Sequence, residues 1–159
     1  MTRIRHWLMA LCVGLAWPAL AAEPTAFTTQ AKQQVTAAQA REAALYWRNF
    51  RQALLQGQSQ LLVGMTRLPL VVKGVTDDQA PRRVGQGKLG KTLAELLKQE
   101  VYPVHAADDR PQTLRQLVES TPELLPKHWT TPQQLRVESL AFAKGKSGWK
   151  LVTVYEEAP

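Results

Sequence analysis

The first 22 residues set the conditions under which the rest of this chain must fold. Arg3 and Arg5 precede an apolar run from Trp7 to Trp17, Pro18 ends it, and Ala19-Leu20-Ala21 has the A-x-A form that a signal peptidase accepts. The run is roughly half of the ~20 residues needed to span a bilayer, so the segment predicts a cleaved export signal, with the cut after Ala21 or Ala22, rather than a retained anchor. The only cysteine, Cys12, lies inside that run and leaves with it. Leu11, not a small residue, precedes it, which argues against a lipoprotein site. The chain that remains, 137 of 159 residues once 1–22 are removed, is expected to be periplasmic or secreted. It has no disulfide, thiolate metal site or cysteine nucleophile, and an apolar core alone must hold it. Its length suits one domain.

Loss of Arg3 and Arg5 lowers the formal charge from +7 to about +5. The cations are spread along the chain, with a local concentration at Arg82, Arg83, Lys88 and Lys91. Outside the cytoplasm such a surface meets anionic lipids and glycans rather than nucleic acid. No nucleic-acid partner is expected. Stable membrane insertion after cleavage is not expected either, because nothing after residue 22 is apolar enough to span.

Residues 23–30 read as a flexible leader, and 31–159 as a single α+β domain. A helix is predicted from Ala31 to Gln56, capped by Thr28 or Thr29 and stopped at Gly57, with Ala43, Trp47, Phe50 and Leu54 spaced 4, 3 and 4 along one apolar stripe. Ser59 can cap a short second helix. Leu68 to Gly74 reads as a strand with Pro69 near its start, and Arg82 to Val84 as a brief one. Helices are predicted over Leu89–Gln99 and Pro111–Ser120, the latter with proline at its first position. Val101 to His105 is a short extended piece. Leu135–Ala143 and Trp149–Tyr155 predict an antiparallel hairpin around Lys144 to Gly148.

The string from Gly85 to Thr92, G-Q-G-K-L-G-K-T, satisfies the spacing of a phosphate-binding loop, in which Lys91 would reach phosphates and Thr92 a magnesium ion. Its context is wrong. Such a loop follows a buried parallel strand, whereas Ala80-Pro81-Arg82-Arg83-Val84 is short and polar, and no nucleotide pool is expected outside the cytoplasm. The match is read as accidental, and no cofactor is expected.

Tyr46-Trp47-Arg48-Asn49-Phe50-Arg51-Gln52-Ala53, the stretch from Thr66 to Gly74, and Gly148-Trp149-Lys150-Leu151-Val152 together resemble the nuclear transport factor 2-like, or cystatin-like, superfamily. The resemblance implies a long N-terminal helix packed on a small curved antiparallel sheet with additional short helices, the concave face of the sheet making a pocket. It does not imply one function, since the superfamily holds isomerases, dehydratases, hydrolases, transport factors and accessory domains.

An isomerase or dehydratase would need an acid or histidine shuttling a proton beside a hydroxyl or second acid. Asp77, Asp78, His105, Asp108 and His128 are the titratable candidates, and Tyr46 and Tyr155 the hydroxyls. No metal-ligand spacing and no Ser-His-Asp order links them, so no catalytic or metal residue is assigned. Trp129, set among prolines, Arg82, Arg83 and His105 are the binding candidates. The reading is an exported accessory or binding domain without catalytic activity. Its partner would be a small molecule or a periplasmic or secreted protein. The rivals are a proton-shuttle enzyme and an immunity or inhibitor protein. For the latter, the polar first half of the leading helix or the basic stretch from Arg82 to Lys91 would be the contact surface.

Overall fold

The computed structural model describes residues 35–74, 79–101 and 110–156, all within a compact unit that starts at Lys32. The segments read as an export signal, 1–22, and a leader, 23–30, lie outside them. The first helix, α1, spans Ala37–Leu55, so it starts later than Ala31. Thr36 is the threonine that caps it, because of Thr28, Thr29 and Thr36 it alone has a glutamine three residues on. The Gln39 backbone N–H donates to Thr36 Oγ1 at 3.2 Å, and the Thr36 backbone N–H donates to Gln39 Oε1 at 2.9 Å. Gly57, at φ 65°, turns the chain after α1.

A short helix α2 (Ser59–Met65) leads into strand β1 (Thr66–Gly74), which is followed by β2 (Arg82–Val84) and helix α3 (Gln86–Leu96). The two-residue strands β3 (Glu100–Val101) and β4 (Gln112–Thr113) pair with each other, and α4 spans Leu114–Ser120. A 3-10 turn at Pro126–His128 precedes β5 (Trp129–Thr131), β6 (Gln134–Val137), β7 (Leu140–Gly145) and β8 (Gly148–Glu156). Among the described residues no helix is long and apolar enough to cross a membrane.

The architecture is α+β, with helices and a six-stranded sheet in the order β2-β1-β8-β7-β6-β5. The sheet is mixed rather than antiparallel. β1 runs parallel to β8 while every other pair is antiparallel. These two strands are joined through most of the domain, and such a long crossover permits parallel pairing where a hairpin does not. The ladder between β1 and β8 is irregular between Thr66 and Val71. Pro69 falls in that irregularity, where no ladder donor is required of it.

Two further expectations are corrected. The strand predicted over Leu135–Ala143 is two strands, folded back at Glu138 and Ser139, with Glu138 at φ 49°. Inward positions pass from 135 and 137 to 140 and 142, and that change of phase marks the turn. The helix predicted over Leu89–Gln99 runs instead over Gln86–Leu96, with extended Gly85 at its N-cap, so the G-Q-G-K-L-G-K-T string is helical from Gln86 onward. Thr92 is buried in the core-facing side of α3. A side chain and backbone so engaged cannot wrap a phosphate.

One core joins the helices to the sheet. Trp47 and Phe50 of α1, Leu62 of α2, Leu70 of β1, Phe142 of β7 and Leu151 of β8 belong to one buried cluster. Phe142 meets Tyr46, Trp47 and Phe50 edge-on, with ring centroids 5.7, 5.9 and 5.1 Å apart. Aromatic side chains therefore occupy the space between α1 and the sheet, where the resemblance places a pocket.

Candidate functional site

The site is built on α4 and the irregular chain after it. Thr113 and Gln116 repeat the capping pattern of α1, the Thr113 N–H donating to Gln116 Oε1 at 2.8 Å. This places the helix start at Leu114, not at Pro111. The last carbonyls of a helix lack partners within it, and here α1 supplies them. Arg51 Nε donates to the Val118 carbonyl at 2.8 Å and Arg51 Nη2 to that of Glu119 at 2.7 Å. Trp47 Nε1 donates to the Thr121 carbonyl at 2.9 Å. The cation also complements the negative end of the helix dipole. Thus α4 and the segment leaving it are held to α1 by two side chains, one of them buried in the core.

Beyond this clamp lies an open cleft of about 400 Å³. Its polar lining is Gln112, Ser120, Glu123, Lys127, His128 and Glu138, and Leu117 and Leu125 supply apolar wall. Glu138 arrives from the β6–β7 turn and the others from the segment 112–128. His128 is buried, and its Nδ1 accepts the Leu125 backbone N–H at 2.9 Å. It does for the 3-10 turn what Gln39 and Gln116 do for their helices. Burial holds its pKa below the ordinary histidine value, with neighbouring Lys127 adding to the effect. A neutral imidazole whose Nδ1 accepts must carry its proton on Nε2. In that tautomer the ring offers an N–H donor and no free lone pair. Taking up a proton at Nδ1, the nitrogen that holds the lone pair, would require losing the bond from Leu125.

The sequence candidates are not gathered here. Trp129 is half-buried and packs edge-on against Trp149, with centroids 5.8 Å apart. It is part of the core margin rather than of the cleft. Arg82 forms a salt bridge with Glu156 at the end of the sheet, and Arg83 is exposed on β2. His105, Asp77, Asp78 and Asp108 lie outside the described residues. The Tyr46 hydroxyl donates to the Met65 carbonyl at 2.8 Å, and burial pushes its pKa far above the usual phenol value, a backbone hydrogen bond with Leu151 only partly opposing this. It is therefore a structural hydroxyl. The ring of Tyr155 lies under Arg136, whose guanidinium carbon is 4.3 Å from the ring centre.

His128 carries the weight that the sequence reading divided among several residues. The signal for its role is its position three residues after Leu125, before the strand that begins at Trp129. Among the described residues no group of three or more His, Cys, Asp or Glu side chains is placed to share a metal ion. The chain matches no family model, and no curated protein or solved structure is similar enough to count as a match.

Proposed function

We propose that this chain is an exported, non-catalytic binding domain, a variant of the nuclear transport factor 2-like cone, that takes a small polar molecule in the cleft beside α4. The observation that carries the reading is the state of His128, the one buried histidine among the described residues, fixed by the Leu125 N–H as a hydrogen-bond donor. A donor lining the same cleft as Glu123, Glu138 and Lys127 suits recognition of a ligand with carbonyl or hydroxyl oxygens. It does not suit proton abstraction, which needs a base with a free lone pair. The interior supports the same reading. A proton-shuttle enzyme of this superfamily would keep a cavity over the sheet, and Trp47, Phe50 and Phe142 occupy that space.

The test is a thermal-shift screen of the full chain against small polar metabolites and sugars, repeated with Ser120→Trp, which sets an indole into the cleft from an exposed position. Ligands that raise the melting temperature of the parent but not of the variant support the proposal. Equal shifts in both, turnover of a ligand, or no shift with any compound at millimolar concentration would overturn it. The last outcome would favour a protein partner.

A further inference from the structure

The face of the sheet turned away from the helices has a one-sided charge distribution. Register and burial place Arg83, Val71, Thr153, Ala141 and Arg136 in one row across β2, β1, β8, β7 and β6. None of these five residues is buried. Arg67 and Lys73 project from β1 on the same side, both exposed. Arg67 extends across β8 as far as Gly145 on β7. Lys150 belongs to this face as well, with its ammonium on the Gly64 carbonyl. Among the described residues, five cations therefore share the face, and no carboxylate does. The described acids lie elsewhere: Glu42, Glu95, Glu100, Glu119 and Glu123 outside the six strands, Glu138 in the turn lining the cleft, and Glu156 at the strand end, paired with Arg82.

We infer that this face docks peripherally on a bilayer of anionic phospholipid. Three features select that occupant. The row from Arg83 to Arg136 crosses four strand spacings, about 19 Å, so its charges meet an extended anionic surface rather than converge on one group. Neither the cleft beside α4 nor the smaller one between α2 and α3 includes a residue of the face. The middle of the row is Val71, Thr153 and Ala141, without a free aromatic or long apolar side chain. Protein interfaces draw their binding from such anchors, and the one aromatic ring here, Tyr155, lies under Arg136. A second copy of the chain would set five cations against five. Attraction to phospholipid headgroups needs no anchor, since each Lys or Arg near an anionic surface raises partitioning about fivefold.

The experiment is cosedimentation of the full chain with vesicles rich in phosphatidylglycerol and with pure phosphatidylcholine, at about 0.1 M salt and again at about 0.5 M. Arg3, Arg5 and the apolar run at 7–17 are present in every arm, and those two arginines themselves favour anionic headgroups, so the difference between the two triple variants reads the face. Binding to the anionic vesicles alone, lost at the higher salt, is expected. R67Q/K73Q/R83Q should weaken it about a hundredfold with an unchanged circular dichroism spectrum. R41Q/R48Q/K88Q, which removes the same charge from exposed positions on the helices, should weaken it by less than tenfold. No preference for the anionic vesicles would overturn the inference. So would equal losses in the two triple variants, which would mean net charge alone is at work. Tighter binding to polyglutamate than to vesicles would also overturn it, replacing the bilayer by an acidic polypeptide. None of these outcomes depends on the cleft.

Discussion

Replacing Phe142 by alanine removes the side chain on which the α1–sheet contact converges. Phe142 is 2% exposed and meets three aromatic rings of α1 edge-on, the nearest centroid at 5.1 Å. Buried Phe→Ala changes cost about 3–5 kcal/mol, from lost transfer free energy plus the cavity left behind. Edge-to-face pairs add about 0.5–1.5 kcal/mol each beyond area burial, which keeps this site from the lower part of that range, at about 4 kcal/mol. The rings around it sit on a helix that Arg51 and Trp47 tie to the end of α4, so the cavity has little freedom to collapse. For a domain of this size a urea slope of about 1.5 kcal/mol per M turns that loss into a fall of 2 to 3 M in the unfolding midpoint, on the order of half the typical stability of a domain. Phe142→Leu, which keeps most of the volume, should cost about 1.5 kcal/mol. Urea titrations followed by tryptophan fluorescence and by far-ultraviolet circular dichroism read both variants. A cost below about 1.5 kcal/mol for the alanine variant would refute a filled interior, and would reopen a cavity over the sheet.

Two other outcomes follow from the cleft and its clamp. Arg51→Ala removes two bonds to the terminal carbonyls of α4 and should cost about 2 kcal/mol in urea unfolding, given partial exposure of the guanidinium; a loss under about 0.5 kcal/mol would mean that α4 is positioned without it. His128 gives a pH dependence of defined sign. Its folded pKa is below the unfolded value of about 6.5, so the unfolded chain binds the proton first as pH falls. Its contribution is complete above the unfolded pKa and is lost as pH drops from about 6.5 through the folded pKa. The parent should therefore lose stability between pH 7.5 and 5 relative to His128→Gln, and parallel curves for the two proteins would contradict the assignment.

What the sequence makes legible is local. The stripe of Ala43, Trp47, Phe50 and Leu54 is the buried face of α1 because a 3.6-residue period states which side meets the core. The β7–β8 hairpin is marked by alternation and by glycines at its loop. The parallel pairing of β1 with β8 is not marked, since no local signal reports which distant strand lies alongside. β3 and β4, two residues each, are too short to show a period. The change of inward phase from Val137 to Leu140 does record the β6–β7 turn, but a continuous apolar reading passes over it. The cleft is the least legible part. Its polar residues are single positions on a turn, a helix end and an irregular segment, brought together only when Arg51 and Trp47 fix the end of α4. The capping pairs Thr36–Gln39 and Thr113–Gln116 are written in the sequence at the T-x-x-Q spacing, and reading that spacing together with the apolar period that follows it places both helix starts correctly.

Long-range proton–nitrogen NMR of the His128 imidazole, recorded from pH 8 to pH 5, measures directly which ring nitrogen carries the proton and where the ring titrates. A donor site of the kind described here predicts an unprotonated Nδ1, a protonated Nε2 at neutral pH and a titration midpoint below 6.5. A proton on Nδ1, or a midpoint above 6.5, would contradict the account and return a general base to the cleft.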